Sequence, residues 1–493
     1  MKLRFRTKLS YGIGGIADNA MYTLQITYFL FFLTTVAGVK PALAGLISAL
    51  GSLWEALCGP VVGYMSDSIE TRYGKRKPFI LGAALPAALL TTLLFTKVSG
   101  SETFIFVYYL TIHLLFWQCF AHFFVPMLSW GSDLTKDYNE RTKLRTYAYA
   151  GNQIGAACGK VLPILLSGFL LEQGLSQGQS WIVIGLIIGL IAAFSLLYSG
   201  LTIKETDRPS FRAPAHRKRI FSLRKMASMF QAYILIFRLR PILFLIICGV
   251  GFLIGNTFFG AALVYNFHFL SQLTSMQSAF VLLLITIAGI LLAPLLSRFA
   301  SKTDKSKVFG LGLLTGGLLL VVVSPLHLRS FLGLCAICIM YSVANACYWQ
   351  LMPSMIYDAC EAEELASGSN HAGQVISMQA LSESVAAAVG AQLLGLVLQA
   401  AGFDDFAPVQ EPLTVRWIYY CTTLIPGLLF IGVALAGFFY PISRAGYQRI
   451  LVALRDRKQG LSVDMKEFTD IYGKKLRGVH LPEGYDAGED GPQ

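Results

Sequence analysis

Four ionisable residues lie in stretches otherwise apolar enough for a bilayer: Asp18, Glu55, Lys160 and Glu383. A charge facing lipid is costly, so each is expected to face a cavity or a partner. A carboxylate held there can take up and release a proton or bind a cation. The competing expectation is a structural ion pair between helices, with Lys160 the sole cation available to Glu55 or Glu383. Counting about 1.5 Å per residue, Lys160 lies some 20 Å from its helix start, too deep to snorkel to that surface.

Polar residues gather around these four at helical spacing. Asp18, Tyr22 and Gln25 share a face, with Asn19 beside them. Gly51, Ser52, Glu55 and Gly59 share another, where small residues let a neighbouring helix or a cavity approach. Asn152 lies two turns before Lys160, and Gln379 one turn before Glu383. His113 and His122 are expected to be hydrogen-bonded packing residues. Cys335 and Cys338 form a CxxC inside an apolar run, which reads as packing before zinc or redox chemistry. There is no Walker loop, no His-Glu-x-x-His and no nucleophile elbow. The chain is therefore not expected to be an enzyme, to hold a cofactor, or to draw on ATP that it binds itself.

The elements that must position these residues are membrane helices. The chain has 493 residues, of which 55% are hydrophobic and 14% charged, too few charges for a soluble surface of this size. Twelve apolar runs are long enough to cross a hydrocarbon core, and helix is the conformation that satisfies their backbone there. They fall at 11–36, 42–65, 79–96, 103–134, 147–171, 180–202, 241–270, 275–296, 309–325, 330–355, 371–401 and 414–440. The fold class is all-α integral membrane, with twelve helices in two bundles of six. The six-helix units span 1–202 and 241–440. A basic linker, 203–240, joins them, and a tail, 441–493, follows.

The net charge of +12 raises nucleic acid as a partner, but its distribution points to topology. Of 40 Lys and Arg, 35 fall on the side of the chain ends, four on the other (Lys40, Lys97, Arg329, Arg416), and Lys160 within a helix. That bias predicts a multi-pass protein of the cell membrane with both termini cytoplasmic. Anionic lipid then accounts for the basic excess, and no nucleic acid partner is expected. The first apolar run is too long for a cleavable signal peptide.

The stretch Trp54–Pro78 holds Glu55 on a helix and then a charged turn with Asp67, Arg72, Lys75 and Arg76. Here the chain resembles the glycoside–pentoside–hexuronide:cation symporters of the major facilitator superfamily, the melibiose-carrier type. The resemblance rests on YGIGG at 11–15, WEALCGP at 54–60 and GYMSDSIETRYGKRKPFIL at 63–81. It continues through VPMLSW at 125, DYNERT at 137, and Trp349 followed by YDACE to 361. It implies a major facilitator fold, a central cavity, and uptake of a sugar-like solute with H⁺ or Na⁺. It further implies that Asp67, Arg72, Lys75 and Arg76 bridge helix ends and control conformation. Where the family has a second acid on helix 2, this chain has Gly59. The helix-4 acid falls on Phe124, the helix-1 acid on Asn19, the helix-5 arginine on Tyr149 and the helix-11 lysine on Ser384. Glu55 and Gln379 remain.

Glu55 and Asp18 are accordingly the expected coupling residues. Asn19, Gln25, Tyr149, Asn152, Lys160, Gln379 and Glu383 are expected along the solute path. A lone carboxylate suits a proton better than Na⁺, which needs several oxygens, although Glu55 would be the ligand for Na⁺. A lysolipid-like amphiphile is the alternative solute, because related branches of the family carry such molecules. A non-transporting sensor on the same scaffold is the alternative class. A monomer is expected.

Overall fold

The computed structural model describes residues 3–68, 71, 73–134, 138–203, 239–368, 372–404, 407, 410–459, 461 and 463–473, though not the side chains of some helical positions among them. The linker from 204 to 238, Arg72 and the tail from 474 lie outside the described residues, as does the side chain of Asp67.

Six long helices form the first half: α1 (Phe5–Phe31), α2 (Pro41–Ser68), α3 (Lys77–Leu94), α4 (Glu102–Asp133), α5 (Tyr138–Glu172) and α6 (Gln177–Thr202). The second half has α7 (Arg240–Tyr265), α8 (Ser275–Lys302), α9 (Lys305–Val323), α10 (Phe331–Ser367), α11 (Ala372–Ala400), and a span broken at Thr423 into α12 (Pro412–Thr422) and α13 (Leu424–Phe438). Eleven spans among the described residues are long and apolar enough to cross a membrane. The twelfth long helix, α1, has the length at 27 residues but is diluted by its polar face. The halves echo each other: α1 and α7 both end in a π-helical turn, at Phe32–Val36 and Asn266–Leu270.

Within the first bundle α1 packs along α5. Gly151 is required there, because a Cβ would strike the Gly12 backbone. Such close approach of small residues is what drives helices together where lipid removes the hydrophobic force. Between the bundles, α2 meets α11, α5 meets α8, and α1 meets α7. The contacts that define these seams sit at the end away from the termini. The Ala42 N–H donates to Gln399 Oε1 at 3.2 Å, Thr34 and Tyr265 share a hydroxyl bond of 2.6 Å, and Gly168 faces Ser275. The molecule is thus closed at this far end.

At the termini end the second bundle is braced by α14 (Arg444–Lys458). Ser443 caps it, accepting from Gly446 N–H at 3.1 Å. Arg457 donates to Leu365 O at 2.8 Å and Tyr472 to Ala362 O at 2.6 Å, both on the last turns of α10. Lys305, at the start of α9, pairs with Asp358 of α10 at 2.7 Å.

Candidate functional site

Tyr22 is where the ionisable residues meet. Asp18 on its own helix, Glu55 on α2 and Glu383 on α11 all lie within electrostatic reach of its phenol. Asp18 and Glu55 also lie within reach of each other. Asn19 donates to Asp18 Oδ2 at 3.2 Å. Glu383 Oε1 accepts from Tyr348 at 2.8 Å and from Gln379 Nε2 at 3.3 Å. Glu55 has no hydrogen-bond or ion-pair partner among the described residues. Nor does the Lys160 side chain, so the structural ion pair weighed above is not formed; Lys160 contributes its backbone oxygen to Tyr28.

Aromatic rings pack around these residues. The Tyr22 and Trp117 rings meet edge to face at 6.1 Å, and Phe120 stacks on Phe124 at 5.4 Å. In the second half, Tyr348 stacks on Phe252 at 3.8 Å, both rings buried. Tyr149 and Lys160 are eleven residues apart, three turns, and so share a face of α5. Tyr149, toward the termini end, is 62% exposed. Asn152 is engaged in the α1–α5 seam. With its amide turned to satisfy both carbonyls, it donates to Gly15 O (3.0 Å) and Ala148 O (3.2 Å). Gln25 is buried and bonds to His113 at 2.9 Å.

In the charged turn, Arg76 is buried and donates to Ser66 Oγ at 2.8 Å. Lys75 is exposed. Gly74 adopts φ +100°, a left-handed conformation that closes the turn onto Thr71. Among the described residues no three His, Cys, Asp or Glu side chains come close enough together to hold a metal ion. A recess of about 470 Å³ between α3 and α4, lined by Phe79, Pro86, Gln118 and His122 among others, holds none of the candidate residues.

Tyr348 and Trp117 were missing from the expected site. Tyr22 had a local signal, being one turn from Asp18. Tyr348 had none, since it reaches Glu383 across 35 residues of chain.

Residues 10–444 match the family model of the MFS/sugar transport proteins. The chain belongs to that family. Like its other members it is a multi-pass membrane transporter of a small-molecule solute, not an enzyme. An uncharacterized symporter of Synechocystis is 26% identical over 93% of this chain and 98% of its own length. A glucuronide carrier protein homolog of Escherichia coli is 24% identical over 93% and 97%. A lactose permease of Lactobacillus delbrueckii is 29% identical over 42% of this chain and 35% of its own. Among solved structures, a bacterial homolog of the human lysosomal transporter Spinster superposes with a TM-score of 0.61 at 15% identity, over 92% of this chain and 97% of its own. These last figures speak to the fold.

Proposed function

We propose that this chain is a secondary active symporter that takes up a sugar or glycoside and couples that uptake to H⁺ in preference to Na⁺. The observation that carries the coupling is Glu55, a carboxylate without a hydrogen-bond or ion-pair partner among the described residues, with Asp18 within electrostatic reach of it. Two like charges repel strongly in a site of low dielectric, and one proton relieves the repulsion. Gly59 and Phe124 stand where two further acids would help to ligate Na⁺. The glucuronide carrier homolog and the lactose permease support a sugar as solute. Hydroxyl-binding groups are at hand in Asn19, Gln379 and Glu383, and Lys160 offers a charge to an acidic substituent. The distribution of Lys and Arg supports the cell membrane with both termini and the linker in the cytoplasm. The protein acts as a monomer.

A proton drives accumulation by changing the relative stability of the two open states. Glu55→Gln mimics the protonated side chain permanently. In proteoliposomes it is expected to abolish uphill accumulation of lactose or methyl glucuronide, and its dependence on a pH gradient, while downhill exchange persists. A Glu55→Gln protein that still concentrates solute makes Glu55 a packing residue and moves coupling to Asp18 or Glu383.

A further inference from the structure

Beyond the carboxylates, toward the closed far end, α1 and α2 continue the same two faces. Gln25 lies seven residues past Asp18, and Ser48 seven residues before Glu55, each about 10 Å along its helix. The two are 5% and 6% exposed. Each carries an oxygen without a hydrogen-bond partner, Gln25 Oε1 and Ser48 Oγ.

His113 explains how the Gln25 amide is oriented. Its Nδ1 stands 3.1 Å from Ile47 O, which only accepts, so Nδ1 carries the proton. Its Nε2 lies 2.9 Å from the indole nitrogen of Trp117, which only donates, so Nε2 is an acceptor. The Gln25 nitrogen, 2.9 Å from the same Nε2, is then the donor. Inverting the amide would set Oε1 against a lone pair. The imidazole fills the space over Gly51, where any Cβ would collide with it, and the Phe29 ring covers it at 4.5 Å. The ring is buried completely. Three side chains and a glycine thus hold the amide with its oxygen turned out of the clamp. A buried acceptor left unmet is a cost to folding, so the arrangement opposes stability in this state.

We propose that Gln25 Oε1 is an acceptor for a hydroxyl of the incoming solute, and that His113 and Trp117 are its positioning residues. The proposal rests on the sugar-symport reading and adds a subsite used from one side only. When the far end is open, the solute meets Gln25 on its way to Tyr22. When the Thr34–Tyr265 contact closes that end, Gln25 is sealed off and the solute faces the termini end without it. Affinity on the entry side is therefore the higher.

The test uses the full chain in oriented vesicles, with lactose and methyl glucuronide as probes. Gln25→Leu is expected to raise half-saturation for entry from the far side by about tenfold, equivalent to about 1.4 kcal/mol. Half-saturation from the termini side stays put, and maximal rate falls less than affinity. His113→Leu gives the same one-sided shift, and Trp117→Phe a smaller one. Equal losses of rate from both sides, with half-saturation unmoved, would reduce the three residues to packing and overturn the proposal. A second measurement needs no transported sugar. The ¹⁵N spectrum of the His113 ring, assigned by difference against His113→Asn, should show Nδ1 protonated and Nε2 bare; an Nε2–H ring sinks the clamp. If the unsubstituted protein moves neither probe, the sugar reading falls, and the ring spectrum alone decides the clamp.

Discussion

Charged side chains in this protein keep their charge where a partner and water are both at hand, and Asp304 shows how. Lying between α8 and α9, it accepts from the Arg444 backbone N–H at 2.9 Å and from Lys307 at 3.0 Å. These donors hold its carboxyl below the ordinary carboxylate range. A depressed folded value means that its contribution to docking α14 is full above the ordinary pKa of about 3.9 and is lost as pH falls through the folded value. Docking should therefore be flat between pH 8 and 5. Asp304→Asn should quicken hydrogen exchange of the Arg444–Tyr447 amides a few-fold across that range. Unchanged exchange would show that α14 docks without it. The membrane residues were legible in sequence for the opposite reason. An ionisable group among apolar neighbours stands out, so Asp18, Glu55, Lys160 and Glu383 announced themselves. His113, Trp117 and Tyr348 did not, because their meaning lies in partners on other helices.

At the scale of the helix, hydropathy marks where lipid is and not where helices stop. The tenth run was expected at 330–355, yet α10 continues to Ser367. The added turns carry Asp358 and Glu361, charges that end the apolar signal while Lys305 and the tail stabilise the helix. The two-bundle organisation was legible, since two sets of six runs flank one basic linker. The seam between bundles was not, because it depends on where small residues of α2 and α11 coincide. A Cβ at Gly395 would press on Pro41 O and lie 3.1 Å from Gly45 Cα, both backbone of α2. Neither can yield without moving the helix. Gly395→Val should therefore keep the far end from closing. Transport should fall by at least about tenfold, while binding from the far side survives. A Gly395→Val protein that turns over normally would show that the seam has slack.

For the whole molecule the decisive relation is between the closed end and the exposed wall. Phe31 and Thr34 of the first bundle meet Tyr265 of the second, ring to ring at 5.3 Å and hydroxyl to hydroxyl at 2.6 Å. Toward the termini end Tyr149 is largely exposed, on the α5 face that carries Lys160. Water should therefore reach the α5 wall from the termini end and be excluded from the Thr34 level. In the proposed topology, drawn from the bias of Lys and Arg, the termini end is the cytoplasmic side. Two arguments, one from packing and one from charge, thus converge on a single labelling pattern. In a background with all nine native cysteines replaced, Tyr149→Cys should react with a membrane-impermeant thiol reagent in inside-out vesicles. In right-side-out vesicles it should react at least about tenfold more slowly, the far end being the minor open state. Thr34→Cys should resist the reagent in inside-out vesicles. Adding Gly395→Val should reverse the preference at Tyr149→Cys and make Thr34→Cys reactive in right-side-out vesicles, since it holds the far end open. If Tyr149→Cys reacts fast only from the right-side-out face while Thr34→Cys stays protected, the charge argument is wrong and the molecule is inverted. If both positions react equally from one side, the two bundles are not separated by a closed seam at all.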